Sequence, residues 1–242
     1  VVARHRRVQR DQIRQAAAEG HDIASHGCGH FDGADWSKAE WMAEFDAFDT
    51  VLRDAWSLNG LGEAPADWAA IAGKAGRSGF RAPYLATGRG LYAALAEKGF
   101  GYDASGVSQG PAMPDDGKGP VRFALPMIPE GPRGRPVIAM DYNLFARHTK
   151  AVEAEDRDGA FEQRSYDAFR AAFDAQFAGK RIPLEIGFHF TLMNGGAYWR
   201  ALELFAGEVC VMPDVACVSY ADWIDRFGAS AAPAPSGAGM DG

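Results

Sequence analysis

The 242 residues include only three cysteines and six histidines, and no apolar run approaches the roughly 20 residues that cross a bilayer. So few cysteines exclude a small domain stapled by disulfides. The missing apolar run excludes a helical membrane span. Positive charge is also short, with 25 Lys and Arg against 32 Asp and Glu and a net charge of -7. A surface of that balance repels phosphate, which argues against nucleic acid or an anionic membrane as the main partner. The only dense basic run, Arg4 to Arg10, reads as one solvated helix face. No secretory leader, internal repeat or second domain is visible.

What remains is an ordinary globular composition, 47% hydrophobic and 24% charged, at a length that suits one α/β domain. Asp11 can cap a helix that runs to Glu19 and stops at Gly20. His21 to Ser25 reads as a strand. Ser37 and Glu40 have capping-box spacing, and behind them Trp41, Phe45, Phe48, Leu52 and Trp56 recur at helical period as a core-facing stripe. Residues 61–79 read as loop, 80–85 as a strand end, 91–98 as a helix closed by Gly99, and 100–105 as a strand. A Gly, Pro and Asp-rich loop spans 106–120. Strands are expected at 121–127, 136–142, 184–190 and 215–219, and helices at 159–177, 198–205 and 221–227. Residues 228–242 are small and Pro-rich, which predicts a disordered tail after a domain of residues 1–227. Alternating strands and helices imply a parallel sheet with helices outside, and catalytic groups at the C-terminal ends of its strands.

Three elements carry the chemistry. His26 and His30 are four apart within His26-Gly27-Cys28-Gly29-His30, and the glycines favour a tight loop over a helix. Such a loop can converge two imidazoles on one ion, though two surface histidines would carry the same letters. In Phe80-Arg81-Ala82-Pro83-Tyr84, Pro83 stiffens the backbone that presents the next amide, and Arg81 can orient a carboxylate. Read alone, that segment is a surface ion pair and a turn proline. His189 stands inside the apolar Ile186-Gly187-Phe188-His189-Phe190, where a histidine is either a satisfied core residue or a proton donor near neutral pH. Cys210 and Cys217 flank a turn at Met212-Pro213-Asp214, and both a local disulfide and two free thiols fit that spacing. Cys28 is expected to be unpaired.

In this order and spacing the three elements resemble the polysaccharide deacetylases of carbohydrate esterase family four, the NodB homology domain. His26 and His30 match the His-(Ser/Thr)-x-x-His metal motif, with Gly27 in place of Ser or Thr. Arg81, Pro83 and Tyr84 match Arg-x-Pro-Tyr, and His189 matches the late Leu-x-Leu-His. Phe100-Gly101-Tyr102-Asp103-Ala104-Ser105 resembles a strand of one bacterial branch. The family's first motif, an Asp-bearing strand that supplies the base and a third metal ligand, has no counterpart after Val1, and its fourth motif, Asp-Trp, is not evident.

The resemblance implies a distorted, incomplete (β/α) barrel lacking its first strand, and a metal-dependent hydrolase that removes acetyl groups from N-acetylated or O-acetylated polysaccharide or oligosaccharide. It implies a divalent metal, zinc, on His26 and His30. It gives Arg81 the task of orienting a base, the backbone N–H of Tyr84 that of holding the oxyanion, and His189 that of protonating the leaving amine. Pro83, Asp103 and Asp141 are expected to line the substrate side of the cleft. Without the Asp-bearing strand this chain is expected to be inactive and to leave Arg81 facing an empty polar gap. A periplasmic or extracellular location is favoured by the resemblance. Hydrolysis of another C–N bond in a small amide, and a catalytically inactive carbohydrate-binding relative, are the alternatives; a closed pocket would mark the first, and absence of acetate release the second.

Overall fold

In the computed structural model, residues 2–117 and 119–228 are described; the predicted tail lies outside them except for Gly228. The chain is α/β and divides into two compact units. The first comprises residues up to Asp103, with Asp115–Arg122 and the chain from Val218. The second comprises Ala104–Pro114 and Phe123–Cys217.

In the first unit, α1 (Val2–Ala18) begins nine residues before the predicted Asp11 start and ends where Gly20 takes a left-handed φ of 88°. α2 (Lys38–Arg53) starts at the predicted capping box, and its stripe buries Trp41 and Phe45 against Phe80, Leu91, Leu95 and Phe100. α3 (Trp68–Ser78) occupies the segment read as loop. Its buried face is Trp68 at the first turn and then only Ala72, Ala75 and Gly76, so after its first residue it lacks the large buried apolar residues that announce a helix. A Cβ on Gly76 would lie 2.2 Å from Asp49 Oδ1 on α2, so the small residues serve close helix packing. β1 (Gly79–Phe80) leads to a turn at Pro83–Leu85 and then to α4 (Arg89–Lys98). β2 (Tyr102–Ser108) begins in this unit, where it pairs with β1 in parallel, Phe80 opposite Asp103. α8 (Tyr220–Phe227) is capped by Ser219, so the strand expected at 215–219 is not formed.

In the second unit, β2 neighbours β3 (Val121–Glu130), and β3 pairs with β4 (Arg135–Ile138) in an antiparallel hairpin. The expected all-parallel sheet is therefore mixed. β4 stops at Ile138, and α5 (Asp141–Thr149) begins where the strand was expected to continue. α6 (Ala160–Phe177) and α7 (Met193–Val209) pack through Phe169, Phe173, Tyr198 and Phe205. The stretch expected as a strand over 184–190 is extended backbone with one parallel bridge, Met140 to Gly187. Cys210 and Cys217 are joined by a disulfide, with Cα atoms 5.5 Å apart, and Cys28 is free. No helix among the described residues is long and apolar enough to cross a membrane.

Candidate functional site

In the first unit the chain at Ser25 lies beside β1. Ser25 N–H donates to Gly79 O, and Arg81 N–H returns to Ser25 O. That pairing brings His26 and Arg81 out of the strands together. His26 Nδ1 is 2.7 Å from the Arg81 carbonyl oxygen. A carbonyl carries no proton, so Nδ1 must donate, and Nε2 keeps the lone pair that a metal needs.

The His26 and His30 rings stand edge to face, with centroids 5.0 Å apart. Two imidazoles on one tetrahedral zinc, with Zn–N near 2 Å, hold their centroids about 5 Å apart, so the separation fits a shared ion. The loop between them is fixed by Glu44 of α2, whose Oε1 accepts from the backbone N–H of Cys28 and of Gly29, each at 2.6 Å. Gly27 sits at φ 80° with Glu44 Oε1 3.0 Å from where a Cβ would lie. His30 itself adopts φ 54°, a left-handed value that non-glycine residues rarely take outside over-determined sites. Burial, then the nearby Glu44 carboxylate, pushes the Cys28 thiol up, which works against a thiolate at that position. Among the described residues no group of three or more His, Cys, Asp and Glu is placed to hold a metal. The two imidazoles are thus spaced as two positions of a zinc set would be, with no third His, Cys, Asp or Glu grouped with them among the described residues.

Pro83 is buried, and Tyr84 follows it at φ 58° with its ring 70% exposed, 5.0 Å from the His30 ring. Arg81 does not face an empty gap: its Nη2 donates to the Tyr220 hydroxyl at 2.8 Å. Tyr220 packs against Tyr102 with the rings tilted at 45°, and Tyr102 donates to Asp22 at 2.7 Å. Burial, then the Asp22 carboxylate, raises the Tyr102 phenol far above its usual value. Asp103 is buried at 2% exposure, so its carboxylate is not presented to a polymer as a substrate-binding role requires. Asp32 accepts from Ala34 N–H as a local turn cap.

The second unit holds the other predicted residues. Asp141 opens α5, where the helix dipole favours a carboxylate, and it is fully buried. Its Oδ1 accepts from Tyr142 N–H at 2.7 Å and from His189 Nδ1 at 2.6 Å, and its Oδ2 accepts from His189 N–H at 2.8 Å. Its full burial keeps it from a polymer, and two of its three donors belong to His189. The His189 side chain is 49% exposed. With Nδ1 committed to Asp141, Nε2 is the nitrogen left to exchange a proton.

No family model matches the chain, and no curated protein matches it. A solved structure from Mycobacterium smegmatis, described as a "putative polysaccharide deacetylase", matches with a TM-score of 0.59 at 21% sequence identity, covering 90% of this chain and 67% of that one. This chain shares its fold.

Tyr220 and Glu44 escaped the sequence reading. Tyr220 is 139 residues from Arg81 and leaves no local signal. Glu44 left a faint one: it lies between Trp41 and Phe45 on the inward side of α2, where a carboxylate needs a reason.

Proposed function

We propose that this chain carries the metal-binding histidines and the proton donor of a metal-dependent hydrolase that removes acetyl groups from an N-acetylated polysaccharide. The observation that supports it most is the His26–His30 pair: rings 5.0 Å apart, with His26 Nδ1 spent on the Arg81 carbonyl. The shared fold adds to it, since its counterpart is described as a "putative polysaccharide deacetylase".

His26 and His30 hold a divalent ion, zinc by the donor chemistry of two imidazoles, and such an ion when bound polarises an acetyl carbonyl and makes water acidic enough to ionise near neutral pH. Arg81, steadied by Tyr220, is positioned to bind a carboxylate or to steer the polar end of the acetyl group. Pro83 and the left-handed turn at Tyr84 set the direction of the Tyr84 backbone N–H, which donates to the developing oxyanion. His189 gives its Nε2 proton to the departing amine, and Asp141 keeps the ring in the required orientation through its hydrogen bond to Nδ1. Asp103 and Asp141 act from beneath the surface and do not touch sugar.

Titration of zinc into the full-length protein tests the first half of this reading. One ion per chain is expected, with affinity falling on the order of 10-fold or more in His26→Ala and in His30→Ala. Unchanged affinity in either variant would remove that histidine from the site.

A further inference from the structure

Phe190 directly follows His189 and is 103% exposed, the most solvent-facing large apolar residue among those described. Free solvation does not explain its position, because the backbone holds it there. Thr191 N–H donates to His189 O at 2.8 Å, a turn of three residues with Phe190 at its tip. Trp199 locks the same turn: its Nε1 donates to His189 O at 3.0 Å and to Thr191 O at 3.1 Å. The indole then lies nearly parallel to Phe190, at 26° with centroids 6.4 Å apart. Phe188 packs on Trp199 at 5.2 Å and on Phe169 of the core at 6.1 Å, so the exposed ring is fastened through two others to the interior. Tyr142, 50% exposed, lies 6.2 Å from the His189 ring.

A rigid aromatic ring held in water beside an exposed imidazole presents an open apolar face that an occupant can cover. The occupant should be flat and apolar on one face and polar around its rim, because Phe190 offers a π face while the carbonyls of the turn are already used by Trp199. It should also be uncharged or nearly so, since residues 188–192 carry no formal charge apart from His189 and the chain is acidic. A pyranose ring, with its C–H face and equatorial hydroxyls, has that chemistry. We propose that Phe190, backed by Trp199, is a stacking platform for one sugar ring of an oligosaccharide, adjoining the sugar that His189 serves. The inference rests on the hydrolase reading above for the role of His189.

The test titrates the β-1,4-linked tetramer of N-acetylglucosamine into the full-length protein calorimetrically, and assays acetate release from the same tetramer. Phe190→Ala should weaken tetramer binding about 10-fold, the weight of one aromatic contact, and raise KM by more than it lowers kcat. Phe190→Trp should keep the affinity. Phe190→Leu, apolar but not flat, should fall with the alanine variant. Equal affinity in Phe190→Ala and the unsubstituted protein overturns the platform, as does no tetramer binding at all. A concentration-dependent rise in sedimenting mass that Phe190→Ala abolishes would overturn it too, because the ring would then serve a second copy of the chain. Phe190-dependent binding without acetate release keeps the platform and sinks the hydrolase reading. Acetate release with an unchanged KM in Phe190→Ala does the reverse.

Discussion

Asp141 is a fully buried carboxylate with three N–H donors on it, and replacing it separates orientation from the rest of the catalytic group. In Asp141→Asn the amide nitrogen must face at least one of those donors, so the hold on the His189 backbone N–H or on its Nδ1 is broken. Acetate release should fall on the order of 10²–10⁴-fold, the usual weight of a general acid, with circular dichroism unchanged. A fall below threefold would mean that His189 works without its buried partner. A second residue, His148, makes a pH prediction. Burial, and next the Arg164 charge, hold its imidazole below the ordinary 6.5. Its Nε2 donates to buried Glu130 at 3.1 Å, and its Nδ1 lies 3.4 Å from the Tyr198 hydroxyl, whose ionisation burial pushes up to about 12. The folded state therefore keeps His148 neutral where the unfolded chain takes up a proton. The stability this lends is present above pH 6.5 and is lost as pH falls below it toward the depressed value. Urea unfolding at pH 7.5 and 5.5 should show the loss, and His148→Gln should flatten it. No difference between the slopes of the two proteins would assign the pH dependence elsewhere.

Elements were legible where a local rule decides them. The capping box of α2 was written in Ser37 and Glu40, and hydrogen bonds from the Ser37 backbone and hydroxyl hold the Glu40 carboxyl below its usual range. Ser37→Ala should cost about 1 kcal/mol, read as a lowered denaturation midpoint with an unchanged slope. A midpoint that does not move would show that α2 is held by its packing alone. The Gly20 and Gly99 stops were legible for the same reason, because both take the left-handed values of 88° and 78° that end a helix. Elements were missed where tertiary contact overrides local signal. After Trp68, α3 buries Ala and Gly where large apolar residues would mark a helix, because its neighbour comes close. The apolar stretch at 184–190 reads as a strand, yet Glu185 there accepts from Ala124 N–H and only Gly187 joins a bridge. α5 was hidden because Met140-Asp141-Tyr142 continues the β-like run, and only the burial of Asp141 at the helix start explains the change of direction.

Across the whole chain, the motif residues that sequence order grouped as one family pattern fall into two constellations. His26, His30, Arg81 and Tyr84 belong to one, and Asp141 and His189 to the other. The spacing of the histidines was legible, and so was Pro83 before a rigid amide. The holders were not: Glu44, Tyr220 and the inward turn of Asp141 act over separations that leave no periodic trace. The Cys210–Cys217 disulfide was one of two open readings, and its Cα separation of 5.5 Å decides for the bond. It closes a loop with a sequence separation of 7, so reduction should lower stability by about 2 kcal/mol, seen as a lower melting temperature in reductant. A melting temperature indifferent to reductant would show that the bond does not form in solution. The central claims are that His26 and His30 hold a metal and that His189 donates a proton in deacetylation. They are tested most directly by acetate release from the N-acetylglucosamine tetramer, catalysed by the zinc-loaded full-length protein. The expected result is release that a chelator abolishes, that added zinc restores, and that His26→Ala and His189→Ala each reduce on the order of 10²-fold or more. Release that persists undiminished after chelation, in His26→Ala or in His189→Ala would contradict them.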